Sequence, residues 1–253
     1  MSGETSYPIE LLRDQGRRIV AAGAAEGLTL RLTGGVAVRE RCPDLGGSDL
    51  HDRPYHDIDV VARLSEGRKL EALLAPFGLE PDRSVNALFG TVRRIYHHPD
   101  GWHIDVFMDR LDFCHRIELK DRLDLHAVTL APADLLLGKL QIVERNRKDL
   151  VDVALLLMGF GLTTGDASGI ELDRILALTS DDWGLTTTAS DFLEAFRGAL
   201  PGLGFDPASA ARADERAAAI QLAIASSPKS MRWRARERVG RRVRWYKTVE
   251  EVL

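Results

Sequence analysis

Three aspartates stand in two apolar stretches whose residue types predict β-strands. Asp57 and Asp59 lie in residues 55–61 (YHDIDVV), and Asp105 lies in residues 103–107 (HIDVF). Side chains two residues apart on a strand point to the same face, so two carboxylates with Cα atoms about 6.5 Å apart can converge on one cation or on a pair of cations. Hard carboxylate oxygens are the ligands that Mg²⁺ prefers. A shared metal site would therefore explain why strand interiors, which disfavour Asp, carry these three.

The glycine pair Gly34-Gly35 lies between a predicted strand and a predicted helix. Without side chains, the backbone there can approach phosphate oxygens closely, and the N-terminus of the following helix favours anions. The alternative interpretation of both features is an ordinary glycine turn and three solvated aspartates on an exposed sheet face. The combination of the glycine pair with the strand aspartates favours a phosphate and metal site.

The elements that must position these residues form a mixed α/β region followed by a helical one, which predicts an α+β fold. Residues 1–131 are expected to form the α/β domain, and residues 132–253 a helical domain with a basic terminal segment. The periodicity and turn signals predict a helix over 8–26, a strand over 28–33, a short helix over 36–42, a loop over 43–54, a strand over 55–61, a helix from Ser65 to Pro76, strands over 91–98 and 102–108, short strands near 116–120 and 125–130, and helices over 132–145, 147–158, 170–179, 188–199, 207–227 and 228–247.

Composition excludes several classes of protein. The 253 residues are 45% hydrophobic, enough for a packed core, and the net charge of −4 does not describe a protein that is basic throughout. Cys42 and Cys114 fit no metal-binding spacing. No apolar run reaches the ~20 residues of a membrane span, and the N-terminus lacks the pattern of a secretory signal. By default, these features predict a cytoplasmic protein without a membrane partner.

The order of these motifs resembles the polymerase beta-like nucleotidyltransferase superfamily. The resemblance rests on residues 32–38 (LTGGVAV), Arg53, residues 56–60 (HDIDV) and residues 103–107, and it covers about residues 28–157. Within that superfamily, the chain is most similar to bacterial proteins related to the nucleotidyltransferase-type abortive-infection toxins. The resemblance implies a mixed sheet with flanking helices, followed by a helical C-terminal domain.

The resemblance also implies a mechanism. Such enzymes transfer a nucleoside monophosphate from a nucleoside triphosphate to an acceptor hydroxyl. Gly34 and Gly35 would hold the triphosphate, Asp57 and Asp59 would bind metal ions, and Asp105 would complete a second metal site and help to activate the acceptor. Two Mg²⁺ ions are the expected cofactor, with Mn²⁺ as the alternative. Because phosphoryl transfer depends mainly on positioning and charge neutralisation, a cluster of carboxylates and metal ions is the main equipment required.

The predicted helix after the sheet matches the family as well, over residues 130–140 and 145–152. In the toxin-like relatives a lysine on this helix faces the nucleotide phosphates, and an acidic residue follows it. The matching positions are Lys139 and Asp149, with Arg147 and Lys148 as further candidate triphosphate contacts. The alternative is a solvated helix face, on which the acidic residues pair only with neighbouring basic ones.

The segment 229–247 is strongly basic, and aromatic residues are interleaved with its charges. This pattern suits RNA, because guanidinium groups meet phosphates and rings stack on bases. Two alternatives remain open: a surface helix whose aromatics pack on the domain while its arginines pair with acidic residues, or a segment that lies over the active-site cleft. The candidate nucleic-acid contacts are Arg232, Arg234, Arg238, Arg241, Arg242 and Trp245.

The leading hypothesis is thus an enzyme that transfers a nucleotide to RNA such as tRNA, to a protein hydroxyl or to a small molecule. The resemblance adds a toxin-like role with an antitoxin partner. An aminoglycoside-type nucleotidyltransferase and a non-catalytic nucleotide- or RNA-binding protein of the same fold are the alternatives. The histidines at positions 97, 98 and 103 form no zinc signature and are interpreted as ordinary residues.

Overall fold

A mixed five-stranded sheet organises the first part of the chain in a computed structural model, which describes residues 7–43, 45 and 55–248. Its strands are β1 (Leu30–Thr33), β2 (Asp57–Ala62), β3 (Glu80–Pro81), β4 (Arg93–His97) and β5 (His103–Met108). The spatial order is β1, β2, β5, β4, β3. Strand β2 runs parallel to β5, and every other neighbouring pair is antiparallel. Two small pairs lie outside this sheet: β6 (Arg110–Asp112) with β7 (Arg116–Glu118), and β8 (Leu162–Thr163) with β9 (Ile170–Glu171).

Helices flank the sheet and make up most of the chain after residue 131. They are α1 (Ile9–Ala25), α2 (Gly34–Arg41), α3 (Leu70–Leu74), α4 (Arg83–Phe89), α5 (Pro132–Leu140), α6 (Arg147–Gly159), α7 (Leu172–Thr179), α8 (Trp183–Ala199), α9 (Pro207–Ser226) and α10 (Met231–Val239). Short 3₁₀ turns occupy Leu64–Lys69, Ala75–Phe77, Lys120–Arg122, Leu200–Gly202 and Gly240–Arg242. The predicted α+β class, a mixed sheet with flanking helices followed by a helical region, is confirmed. Among the described residues, no helix has both the length and the apolar character needed to cross a membrane.

One hydrophobic core joins the sheet to the helices. It extends from Leu12 in α1, through the central strands, to Ile224 in α9. Alternation along β2 and β5 explains how these strands can carry charged residues: Ile58, Val60 and Val106 are fully buried on one face, while the aspartates lie on the other. Because the core is continuous, it does not by itself separate two domains, and the boundary near residue 131 stays a prediction.

Several element boundaries differ from the sequence expectation, and the differences have local causes. Helix α4 was not predicted; the side chain of Asp82 caps it by accepting from the Val85 amide. Helix α8 begins at Trp183, five residues earlier than expected, because Asp182 caps it. Helix α10 ends at Val239, since Gly240 adopts a positive φ of 57°.

Two further expectations are affected. The predicted helix from Ser65 begins instead as a 3₁₀ turn, and Ser65 is not its N-cap. The predicted strand at 125–130 is wrong: that segment contributes only an isolated bridge between Thr129 and Leu32, while a strand forms at β6 instead. Arg53 and most of the predicted loop 43–54 lie outside the described residues.

A buried ion-pair network fastens the helical region to the segment that leaves the sheet. The Asp134 side chain in α5 is fully buried, and it accepts from Arg122 Nε at 2.5 Å and from Arg174 Nε at 3.0 Å. Arg122 also pairs with Glu171. Removing one partner from such a cluster leaves uncompensated buried charge, which costs far more than the loss of an exposed pair.

Asp134→Asn is therefore expected to lower the free energy of unfolding by about 3–5 kcal/mol. The matched control is Asp214→Asn, which breaks the exposed Arg197–Asp214 pair and should cost no more than about 1 kcal/mol. Urea unfolding monitored by circular dichroism measures both. Equal losses from the two variants would show that the network does not act as a buried cluster.

Candidate metal and nucleotide site

The parallel pairing of β2 with β5 brings the three predicted aspartates onto one face of the sheet. In the register of these strands, Asp59 lies opposite Asp105, and Asp57 lies opposite His103. All four side chains occupy alternate positions and therefore share a face. Neither strand alone carries all three carboxylates, and the register combines them into one cluster.

A set of three residues has its ligand atoms close enough to hold a metal ion. One ligand atom each from Asp57, His103 and Asp105 lies within 4.8 Å of the others. Asp105 is buried, while Asp57 and His103 are partly exposed, so the site remains open on one side. Two carboxylate oxygens and one imidazole nitrogen are a donor set that divalent cations accept, and these residues therefore fit a divalent cation, although Asp59 of the predicted ligands is not in the set.

His103 was interpreted from the sequence as an ordinary histidine, and the structure places it beside the predicted carboxylates. It stands two residues before Asp105 on β5, so it shares that residue's face, and the register sets it beside Asp57. The two-residue spacing was visible in the sequence. The parallel register was not, and it is the register that turns a strand histidine into a neighbour of two carboxylates.

Asp59 lies on the same face but is packed into the glycine corner. A Cβ atom on Gly34 would fall 2.0 Å from Asp59 Oδ2, and Gly34 has a φ of +64°. Only glycine therefore fits between strand β1 and helix α2 at this position. The neighbouring Thr33 makes no side-chain cap hydrogen bond to α2.

The surroundings of Asp59 destabilise its charged form. Burial raises the pKa of Asp59 well above its ordinary value, and the charges of Asp57 and Asp105 raise it further. Lys139 and Arg93 act in the opposite direction but do not cancel the shift. A group of three carboxylates that is penalised in this way is the kind of site that a bound cation relieves.

Arg93 on β4 holds Asp105 in a two-pronged ion pair. Its Nε donates to Oδ1 at 3.1 Å, and its Nη2 donates to Oδ2 at 2.7 Å. Sequence reasoning missed this residue, because the β4–β5 register sets Ile95 opposite Asp105 and Arg93 reaches it diagonally. The pair fixes the orientation of the carboxylate, which keeps further lone pairs for other ligands.

Lys139 lies between the sheet and helix α6 and is largely buried, so the solvated-face interpretation of this lysine is wrong. Its Nζ is 3.0 Å from Asp149 Oδ1 and 2.8 Å from Asp152 Oδ2. Asp149 also accepts from the Asn146 amide, in a capping box at the start of α6. The lysine thus lies between two acidic groups: the α6 pair, and the sheet carboxylates that feel its charge.

Two cavities adjoin at this point. A small one, of about 80 Å³, contains Gly34, Asp59 and Lys139 in its wall. A larger one, of about 360 Å³, shares Phe113 and Ile142 with it. The wall of the larger cavity is formed by Phe113, Cys114, Ile142, Val143, Glu144, Asn146, Asp149, Tyr246, Lys247 and Thr248.

The remaining predicted triphosphate contacts, Arg147 and Lys148, lie at the exposed start of α6. Arg147 and Lys148 are exposed, and neither lines one of these two cavities. Arg147 donates to the Leu203 carbonyl at 3.1 Å, which directs it toward the end of α8. Their role in binding a triphosphate stays a prediction.

The aromatic residues of the basic segment pack against helix α8. Trp233 Nε1 donates to Thr186 Oγ1 at 2.9 Å, and Trp245 Nε1 donates to Thr188 Oγ1 at 3.1 Å. Both indoles are therefore anchored to α8 through their ring nitrogens and are only partly buried, and the predicted nucleic-acid contact of Trp245 stays a prediction. The segment continues to Lys247, whose amide donates to the Cys114 carbonyl at 3.0 Å.

The arginines of this segment divide into two groups. Arg241 pairs with Asp191 at 2.6 Å and lies over the Trp245 ring, and Arg232 approaches an aspartate of the α7–α8 connection at 3.4 Å. The other candidates are exposed, and within the described part of the chain their side chains make no ion pair; they are Arg234, Arg238 and Arg242. A nucleic-acid role for the segment stays a prediction that concerns mainly this second group.

Comparison with known proteins gives limited similarity. The sequence matches no protein-family model and no curated protein. Among solved structures, the chain is similar to the antibiotic-resistance factor ANT(2'')-Ia, with 11% identity, a TM-score of 0.42, and coverage of 75% of this chain and 94% of that one. It is also similar to an antigenic nucleotidyltransferase-like protein from Paracoccidioides brasiliensis, with 12% identity, a TM-score of 0.45, and coverage of 79% and 94%. Neither likeness is strong enough to assign a function.

Gly34→Ala is expected to displace the Asp59 carboxylate, because the new methyl group would occupy its position. Gly27→Ala is the matched control: its φ of +71° imposes the same backbone strain, but no atom lies within 4 Å of the added Cβ. Gly27→Ala should lose about 1–2 kcal/mol of stability from backbone strain alone, and Gly34→Ala should lose more because of the added contact with Asp59. Only Gly34→Ala should also lose the rise in melting temperature that a nucleoside triphosphate with Mn²⁺ or Mg²⁺ produces. A normal rise in Gly34→Ala would mean that the corner does not serve binding.

Asp59→Asn is expected to stabilise the metal-free protein at pH 8. The raised pKa of Asp59 means that the folded state retains its proton while the unfolded state has lost it, so stability falls as pH rises through this window. Below the ordinary aspartate pKa both states are protonated, and the advantage of Asn should vanish. Melting temperatures of both proteins at pH 3.5 and pH 8, with chelator present, measure the difference. A gain that is the same at both pH values would contradict the assignment.

Proposed function

We propose that this protein is a metal-dependent nucleotidyltransferase, which transfers a nucleoside monophosphate from a nucleoside triphosphate to an acceptor hydroxyl. The observation that carries the proposal is the in-register pairing of Asp59 with Asp105 beside the positive-φ Gly34. A plain exposed sheet face would need neither a glycine held against a carboxylate nor carboxylates close enough to repel one another. The order of these motifs along the chain, which resembles the polymerase beta-like superfamily, agrees with this proposal.

The glycine corner is suited to the triphosphate. Helix α2 begins at Gly34, and the first amide groups of a helix have no partner within it and favour anions. Because Gly34 and Gly35 lack side chains, phosphate oxygens can approach the backbone directly. In this proposal the triphosphate lies between the corner and the carboxylate face, with Lys139 providing positive charge from the opposite wall.

The carboxylates would hold the divalent cations. When bound, these ions neutralise the charge of the phosphate oxygens and polarise the phosphorus centre. Asp57 and Asp59 approach from β2, and Asp105 approaches from β5 in the orientation fixed by Arg93. In the proposed reaction Asp105 also orients the acceptor hydroxyl, while Asp149 keeps Lys139 in position through their ion pair.

The larger cavity suits a small acceptor, or part of an extended one, next to the triphosphate. Its volume of about 360 Å³ falls in the range of small-molecule sites, and it contains the acidic Glu144 and Asp149 in its wall. These features favour a small molecule of the aminoglycoside type as one candidate for the acceptor. RNA remains the other candidate, on the strength of the exposed arginines of α10. A toxin-like role with an antitoxin partner, and a cytoplasmic location, are parts of the hypothesis that rest on the sequence resemblance alone.

The test is a transfer assay. The protein is incubated with each labelled nucleoside triphosphate, a divalent cation and, separately, total RNA, total protein and a small-molecule fraction that contains aminoglycosides. Asp57→Asn should reduce label transfer by at least about 10²–10³-fold, because it removes charge that stabilises the transition state. The control Asp100→Asn, in the exposed turn between β4 and β5, should stay close to wild type.

The result also separates the non-catalytic alternative. A wild-type protein that transfers label to no fraction, with Mg²⁺ or Mn²⁺, contradicts the enzyme proposal. If the same protein is stabilised by a nucleoside triphosphate only in the presence of the cation, it is a nucleotide-binding protein of this fold. Label in a single fraction identifies the class of acceptor.

A further inference from the structure

The metal-ligating set on the sheet contains a nitrogen donor that an all-carboxylate site would lack. His103 Nε2 lies 3.9 Å from Asp105 Oδ2, and Asp57 completes the set within 4.8 Å. Ligands of one cation with bonds of about 2.1 Å lie about 3–4 Å apart. Small side-chain rotations would therefore bring all three residues onto one ion.

We infer that His103 is a metal ligand, and that it makes this position a site for a divalent first-row transition metal, with Mn²⁺ bound in preference to Mg²⁺. The inference deepens the proposed function, whose metal it specifies. Asp59 lies at the glycine corner, outside the set, so the inference concerns the cation position next to Asp105.

Backbone geometry holds the histidine where a ligand is needed. His103 is the first residue of β5 and is paired in register with Asp57 on one side and with His97 on the other. A strand in the middle of a sheet positions side chains more reproducibly than a loop does. Its imidazole is about one-third exposed, which leaves it accessible to an entering cation.

The mixed donor set beside Asp105, rather than the charge around it, favours a transition metal. Arg93 engages both oxygens of Asp105, so its positive charge weakens the electrostatic attraction between this carboxylate and any cation. Mg²⁺ depends on hard oxygen ligands and on that attraction, whereas a transition metal gains additional affinity from an imidazole nitrogen. Replacing one oxygen by nitrogen therefore reduces the affinity for Mg²⁺ more than that for Mn²⁺, whereas the charge of Arg93 weakens the binding of both ions alike.

Mn²⁺ binding without any nucleotide tests the inference. Electron paramagnetic resonance measures free Mn²⁺, competition with Mg²⁺ gives the relative affinities, and pulsed measurements detect hyperfine coupling from a nitrogen bound to the ion. Wild type should bind Mn²⁺ at least about tenfold tighter than Mg²⁺ and should show nitrogen coupling. His103→Ala should lose the coupling and about tenfold or more in Mn²⁺ affinity, the scale of effect seen for residues that build a metal site, while Mg²⁺ affinity changes little.

The matched control is His97→Ala, which removes the histidine that pairs in register with His103. The two rings lie 5.9 Å apart, and His97 is not in the ligand set, so this variant should keep the coupling and the affinity. His103→Gln serves if His103→Ala does not fold, and metal-free melting curves show which variants are folded. The nitrogen coupling of the wild-type protein tests the inference even if neither His103 variant folds.

Two results would overturn the inference: wild-type protein with bound Mn²⁺ but no nitrogen coupling, or a folded His103 variant that binds Mn²⁺ as wild type does. Both differ from a failure of the proposed function. Nitrogen coupling in a protein that transfers no label would leave His103 as a ligand and remove the enzyme. Transfer of label without the coupling would keep the enzyme and remove His103.

Discussion

The structure depends on the register of two parallel strands. Because β2 and β5 pair with Asp59 opposite Asp105, three carboxylates share one sheet face at a distance where they repel one another. The protein offsets part of this repulsion with Arg93, which holds Asp105, and with Lys139, whose charge reaches Asp59. The pKa of Asp59 is nevertheless raised, first by burial and then by the charges of Asp57 and Asp105, so Lys139 and Arg93 do not cancel these two effects. A cation bound on this face, as the proposed function requires, would lower this cost.

The same two strands must also hold the fold together, and alternation separates the two tasks. The face opposite the carboxylates is formed by fully buried aliphatic residues, and it belongs to the core that continues into the helical region. Packing of the apolar face thus offsets the electrostatic destabilisation of the carboxylate face. Natural proteins frequently accept such local costs at functional sites. The Arg122–Asp134–Arg174 network strengthens the connection to the helices from a separate position.

Periodicity along the chain was enough to predict the aspartates, the glycine corner and the α+β class, because each is a local property. The partners of these residues were not local. His103 and Arg93 lie beside the predicted aspartates through cross-strand register, which no spacing along a single strand reveals. Asp82 and Asp182 changed the helix boundaries through caps that the apolar pattern alone does not show. The aromatic residues of the basic segment were ambiguous in the sequence, since Trp233 suits base stacking and helix packing equally well until its hydrogen-bond partner is known.

The C-terminal segment links the two parts of the chain at the site. Trp245 is held against α8 through Thr188, and the Lys247 amide donates to the Cys114 carbonyl in the connection between β6 and β7. These contacts place Tyr246 and Lys247 in one wall of the larger cavity. The start of α6 lies in the other wall. The sheet therefore supplies the carboxylates, whereas the shape of the adjoining cavity is set by helices and by the end of the described chain. In the proposed function this second group would select the acceptor, because the carboxylate face is fixed by strand pairing.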